Sequence, residues 1–167
     1  MKQIQTKDFP DTFYAYIEIQ SGSSTKYEYN EDLEALAVDR FLFTSMSYPA
    51  NYGFVVNTKG KDGDPIDVLV FSQPIANGAV IKCKPIGVLE MSDEEGIDHK
   101  LIAVPVEKVD INSTGINDIA DISQATKDRV KHFFEHYKEL EKGKFVKVEN
   151  FKNKAEAKKI LKEGQKK

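Results

Sequence analysis

Asp62-Gly63-Asp64-Pro65-Ile66-Asp67 places three carboxylates within six residues and runs straight into the apolar segment Val68-Leu69-Val70. Anions this close repel one another unless a cation stands between them, and hard divalent ions such as Mg2+ take oxygen ligands of this kind. Gly63 and Pro65 give the loop a tight shape, so Asp62 and Asp67 can converge on one cation from either side of a turn. Asp67 is then carried by a rigid strand, which suits a site needing close placement. An acidic surface turn is the ordinary reading of a lone Asp-Gly-Asp. A calcium loop of the EF-hand type fails on spacing, because Asp67 falls where its glycine belongs and Gln73 where its bidentate glutamate belongs. A second cluster, Asp93-Glu94-Glu95-Gly96-Ile97-Asp98-His99-Lys100, is again a turn feeding a strand, and two such clusters imply more than one metal ion.

Cations and phenols are scattered through the same half of the chain, in Lys26-Tyr27-Glu28, Asp39-Arg40 and Ser45-Met46-Ser47-Tyr48-Pro49-Ala50-Asn51-Tyr52-Gly53. Arginine offers a planar donor fork, lysine a point charge and tyrosine a neutral hydroxyl, and all three suit phosphate oxygens. Singly, each is an ordinary surface residue.

The elements that must position these groups are strands. Up to about Pro105 the chain carries short β-branched and aromatic runs at Phe13–Ile19, Lys26–Tyr29, Phe54–Val56, Ile66–Phe71, Val80–Leu89 and Leu101–Val106, separated by turn chemistry such as Gly60–Pro65 and Asn77-Gly78. Then the period changes. Val130, Phe133, Phe134, Tyr137 and Leu140 recur at helical spacing, with Gly143 as the stop. A short strand, Phe145–Val148, and a helix from about Lys154 to Lys162, capped by Asn153 with Glu156 three residues on, complete the pattern. The expected class is α+β, a mostly antiparallel sheet or small barrel with one or two helices packed on it.

The 167 residues read as one domain, 1–167, with neither repeat nor linker, and 24 Lys+Arg against 27 Asp+Glu argue against a broad nucleic-acid or membrane-surface binder. The single cysteine, Cys83, excludes an internal disulfide and a Cys-based zinc site, and its apolar strand makes it a core residue. The stretch Met1 to Phe13 lacks the apolar core of a signal peptide, and no run approaches the roughly 20 residues of a membrane span. The cytoplasm is the expected location.

In these motifs the chain resembles the soluble family I inorganic pyrophosphatases, and looks like a bacterial-type member. The carriers are Lys26-Tyr27-Glu28, Val38-Asp39-Arg40-Phe41, Ser45-Met46 with Tyr48-Pro49 and Asn51-Tyr52-Gly53, the Asp62–Val70 block, Gly87-Val88-Leu89, Met91 to Lys100, and His132-Phe133-Phe134-Glu135-His136-Tyr137-Lys138. The resemblance spans about Phe9 to Glu163. It implies a small closed antiparallel β-barrel of the OB type, of about five strands, with two flanking C-terminal helices.

The implied reaction is Mg2+-dependent hydrolysis of inorganic pyrophosphate to two orthophosphates by a metal-activated water with an aspartate general base. Carried residue by residue, Asp62, Asp67 and Asp98 correspond to the ligands of the tightest Mg2+, with Asp67 shared by a second ion. Asp93 and Asp98 correspond to ligands of a metal arriving with substrate, Glu28 to another ligand, and Glu18 to a further acidic residue counted with the metal set. Lys26, Arg40, Tyr137 and Lys138 match the phosphate-binding groups, Tyr52 and Lys100 match supporting ones that join Asp67 in catalysis, Asp64 matches the general base, and Tyr48 a pocket residue. Several Mg2+ ions per subunit are implied, with Mn2+ or Zn2+ as candidate substitutes, and a homo-oligomer, commonly a hexamer. The departures are Gln20 in place of a proline, Val56-Asn57 in place of Ile-Pro, and Ile97 and His99 in the second acidic loop, which bear on loop shape.

Two other readings compete. His132-x-x-Glu135-His136 matches an inverted zinc-peptidase pattern, but no third ligand accompanies it, and a subunit contact is the expected use. A non-catalytic OB-type nucleic-acid or metal-binding module shares the fold. Single-strand binding needs a basic groove with aromatic platforms, whereas five aspartates (Asp62, Asp64, Asp67, Asp93, Asp98) sit in these motifs.

Overall fold

A computed structural model describes residues 4–167; Met1–Gln3, the beginning of the stretch inspected for a signal peptide, lie outside the described residues. The strands are β1 (Phe13–Ile19), β2 (Thr25–Asn30), β3 (Ala35–Phe41), β4 (Asn51–Val55), β5 (Asp67–Val70), β6 (Val80–Asp93), β7 (Gly96–Ile97), β8 (Lys100–Pro105) and β9 (Val146–Lys152). The helices are α1 (Gln124–His136) and α2 (Lys154–Gly164). Pairing runs β1-β4-β5-β8-β6 and returns from β6 to β1, which closes a ring of five strands. Four junctions are antiparallel; the fifth, β5 with β8, is parallel and sets Val68 against Leu101 and Val70 against Ala103.

That parallel pair explains why both segments read as unbroken apolar runs, since each is buried on both faces. Val68, Val70, Leu101 and Ala103 join Phe13, Ala15, Ile17, Val55, Cys83 and Val88 inside the ring, where Ala157 and Leu161 of α2 close one side. Leu69, Ile102 and Val104 point the other way, onto Val130, Phe133 and Phe134 of α1. Each fully buried Leu, Val or Phe of these layers contributes on the order of 1.5–3 kcal/mol. Gly53 is required by the closure, because a Cβ there would stand 1.8 Å from the Tyr16 carbonyl oxygen on β1.

The local signals define α2 well, with Asn153 accepting from the Glu156 N–H at 3.1 Å, and the helix runs two residues past the expected Lys162. Helix α1 instead stops at His136, seven residues before Gly143. Beyond it the chain forms turns, Glu139 N–H to His136 O and Glu141 N–H to Lys138 O, which bury Lys138 and Glu141 and leave Leu140 64% exposed instead of on the core face. β9 begins one residue later than expected and continues to Lys152, paired with the long β6. β3 has no counterpart among the expected strands. The Asp39-Arg40 pair interrupts its alternation, and it forms a separate two-stranded sheet with β2, in which Lys26 lies opposite Arg40.

Candidate active site

Of the sequence-derived residues, Asp67, Lys100, Asp98, Asp93 and Lys138 meet at one end of the barrel. Asp67 and Lys100 open β5 and β8, and because those strands are parallel neighbours their first residues lie side by side. Lys100 Nζ donates to Asp67 Oδ2 at 2.7 Å and to the Tyr52 hydroxyl at 3.0 Å, and lies 2.8 Å from Asp98 Oδ1. Asp93 ends β6, where its Oδ1 accepts from Glu95 N–H in the turn to β7, and Asp98 N–H donates back to Met91 O. His99 ties the same hairpin, its Nδ1 accepting from Met91 N–H at 3.0 Å. Lys138, buried on the turn after α1, stands 3.3 Å from both Asp93 Oδ2 and Glu94 Oε2.

A second group lines the β2–β3 hairpin. Lys26 Nζ is 3.1 Å from Glu28 Oε1 and 3.7 Å from Asp39 Oδ2, while Arg40 Nη1 donates to Asp39 Oδ2 at 2.6 Å. Arg40 Nε lies 2.9 Å from Glu141 Oε1. Glu18, on β1, accepts from Tyr29 N–H at 2.7 Å. Asp62 Oδ1 accepts from Asp64 N–H at 3.0 Å, and Gly63 between them adopts φ +92, a left-handed conformation that glycine enters without cost. Tyr48, Tyr52 and Tyr137 pack together against Phe133.

The charges press on one another. Burial and repulsion from Asp67 and Glu28 push the Glu18 carboxyl up to about 7, against the Tyr29 N–H bond. Burial raises Asp98 to about 6, with Asp67 and Asp93 adding to it and Lys100 opposing. Burial, then Asp62, Asp67 and Glu28, raise Asp64. Burial alone would lower Lys100, but Asp67 and Asp98 hold its ammonium well above the ordinary lysine value. Burial raises the hydroxyls of Tyr48, Tyr52 and Tyr137, which stay protonated as donors.

Glu18 yields a pH prediction for the metal-free protein. A carboxyl whose folded pKa is raised contributes stability that is complete below its unfolded value of 4.5 and is lost as pH rises through about 7. Glu18→Gln removes that slope and raises the stability near about pH 8 by up to about 3 kcal/mol. Urea midpoints of both proteins in chelator, at about pH 5 and about pH 8, check this; parallel pH profiles would refute it.

Among the described residues, no three carboxylates, histidines or cysteines form a ready-made metal cage. The donor set nevertheless fits a hard divalent ion: it consists of carboxylate oxygens, burial first and neighbouring carboxylates second raise Asp98 and Glu18, and an ammonium already bridges Asp67 and Asp98. Asp39, Glu94 and Glu141 also belong to the charge network, although sequence reasoning assigned them no role. Asp39 is betrayed only by its place beside Arg40, and Glu141 by nothing local. His132 and His136 lie on the outer side of α1 with ring centroids 4.7 Å apart, and His136 Nδ1 is 2.8 Å from Glu139 Oε2. A cavity of about 370 Å³ between α1 and the 45–49 loop, lined by Ser45, Ser47, Arg129 and His132, contains none of the site carboxylates. Asn57 has φ +59, which a proline ring forbids.

Comparison with known proteins points in one direction. The sequence profile of the family described as inorganic pyrophosphatase matches residues 15–167. An inorganic pyrophosphatase of Thermoplasma volcanium is 58% identical, over 98% of this chain and 97% of that protein. One of Aquifex pyrophilus is 54% identical over 95% and 90%. The solved inorganic pyrophosphatase of Helicobacter pylori superposes with a TM-score of 0.93 at 48% identity, covering 98% of this chain and 96% of that one.

Proposed function

The chain belongs to the soluble family I inorganic pyrophosphatases, metal-dependent enzymes that hydrolyse pyrophosphate to phosphate, and on that premise we propose that Mg2+ is its metal, held at several positions, with Asp64 as the general base. The observation that carries the reading is the interleaving of carboxylates and cations at one barrel end, Asp67-Lys100-Asp98 beside Asp93-Lys138 and Glu28-Lys26-Asp39-Arg40. Asp62, Asp67 and Asp98 would hold the tightest ion, Asp93 and Asp98 one accompanying substrate, and Glu28 and Glu18 complete the acidic set. A bound divalent ion supplies Lewis-acid charge to phosphate oxygens and lowers the pKa of a water.

The chain's own residues do the rest. Lys26, Arg40, Tyr137 and Lys138 bind the phosphate that leaves and neutralise the electron pair passing to the bridging oxygen as the P–O bond breaks. Asp64 accepts the proton of the attacking water, and its raised pKa makes it a stronger base than an ordinary aspartate. Lys100 and Tyr52 fix the orientation of Asp67.

Phosphate release from pyrophosphate with and without Mg2+ tests the reading. Activity is expected only with the ion, and an inert protein under Mg2+ would restore the non-catalytic module. In the same assay Arg40→Ala weakens kcat/KM by roughly a hundredfold, the loss of a charge-assisted contact to the anion. Mg2+ affinity without substrate stays unchanged, and its loss would refute the division between metal and phosphate groups.

The same reading extends to a single domain over 1–167, supported by β5 and β8 contributing to both cores, and to a cytoplasmic location; among the described residues, no helix is long and apolar enough to cross a membrane. It also extends to a homo-oligomer, a hexamer, in which the exposed His132/His136 face forms a subunit contact. The pair His132→Ala plus His136→Ala is then expected to change the sedimentation of the oligomer. An unchanged oligomer would count against it.

A further inference from the structure

The turn that follows α1 carries two of the phosphate-binding groups, Tyr137 and Lys138, and three residues beyond Lys138 it carries Glu141, whose N–H donates to Lys138 O at 3.1 Å. Glu141 is 8% exposed, and its Oε1 lies 2.9 Å from Arg40 Nε on β3, 101 residues earlier in the chain. This contact is not well made. Arg40 Nε and Glu141 Oε2 are both buried without a hydrogen-bond partner among the described residues, although the two side chains are close enough to pair. The other side of the guanidinium is tied to Asp39 at 2.6 Å, and about a quarter of the Arg40 side chain remains open to solvent.

A carboxylate placed this way is a poor structural element. A buried ion pair repays its desolvation only when its geometry is good and its remaining lone pairs are bonded, and here neither condition is met. Arg40 keeps Asp39 as its counter-charge and is partly open to solvent, so a neutral residue of the same shape at position 141 leaves no uncompensated buried charge and should leave the fold intact. Polar groups retained against stability concentrate at functional sites. The location agrees, since Glu141 connects the turn bearing Tyr137 and Lys138 to the strand bearing Arg40, two elements that must be held in register for one anion.

We infer that Glu141 is a positioning residue, which sets where the Arg40 guanidinium waits for the phosphate and couples that position to the Tyr137–Lys138 turn. The proposal rests on Arg40 contacting the substrate. Because the Nε contact is misaligned, the guanidinium gives up little on turning to the incoming oxygens, while the charge of Glu141 on its Nε side balances the pull of Asp39 on its Nη1 side.

A double-mutant cycle tests it, read by equilibrium binding of methylenediphosphonate, a pyrophosphate analogue whose bridge hydrolysis cannot cleave, in the presence of Mg2+, together with thermal midpoints. Glu141→Gln is expected to weaken binding by roughly tenfold to a hundredfold while the midpoint holds or rises. In an Arg40→Ala background the same substitution is expected to change binding no further, because the group it positions is gone. If Glu141→Gln lowers the midpoint and its effect on binding persists in the Arg40→Ala background, Glu141 is structural and the proposal fails. If Arg40→Ala weakens binding and Glu141→Gln does not, the proposal fails while the Arg40 assignment stands. If Arg40→Ala leaves binding unchanged, the Arg40 assignment falls and takes the proposal with it.

Discussion

Asp67→Asn is expected to lower Mg2+-dependent phosphate release by about a thousandfold or more, equivalent to about 4 kcal/mol of barrier, while the protein stays folded. Asp67 sits on the first residue of β5, is held by Lys100 at 2.7 Å, and acts on Glu18, Asp64, Asp98 and Tyr52 at once. Asparagine keeps its shape and can still accept from Lys100, which retains Asp98 as its counter-charge. With one negative charge gone, Glu18 and Asp98 ionise more easily, so the metal-free variant should be as stable as the parent or more so. Phosphate release beside circular dichroism checks both halves; near-normal turnover would remove Asp67 from the metal set.

Lys100→Met should do the reverse, acting first on stability. Lys100 is 3% exposed and lies against Asp67, Asp98 and Tyr52. Without the ammonium two carboxylates face each other with nothing between them, and breaking a buried pair this way costs about 3–5 kcal/mol. The sign of the pH dependence follows from Asp98. Its carboxyl already titrates at about 6 with Lys100 beside it, and loss of that cation raises it further. Below that range the proton removes the unpaired charge, so the deficit is largest near about pH 8 and shrinks towards about pH 5. A divalent ion should recover much of the loss by standing where the ammonium stood. Denaturation midpoints in chelator and in Mg2+, at both pH values, test this; a deficit independent of pH and of Mg2+ would show that packing, not charge, is what Lys100 supplies.

Much of this was legible in the chain because the signals are local. The carboxylates of Asp62–Asp67 and Asp93–Asp98 are close in sequence, so their repulsion and their need for a cation are visible without a fold. Asn153 with Glu156 announces α2 through a hydrogen bond spanning three residues. β1 alternates enough to be bounded at Phe13 and Ile19, as it is in the structure. Where competing interactions are non-local, local reading fails. Gly143 marked a helix stop, but burial of Lys138 and Glu141 unwinds the chain seven residues sooner, and β3 is held by its register with β2 rather than by its own pattern.

The sequence by itself determined the kind of chemistry: which residues carry negative charge in rigid turns, which carry cations, and that the chain has apolar strands enough for a core. Only the tertiary structure decided which cation meets which carboxylate. Parallel pairing of β5 with β8 brings their first residues together and so places Lys100 between Asp67 and Asp98, and the turn after α1 carries Glu141 to Arg40. The reason is physical. A charge acts over several ångströms in every direction, and the neighbours that set its pKa and its partners are fixed by strand order and turn geometry, which no short stretch of sequence contains.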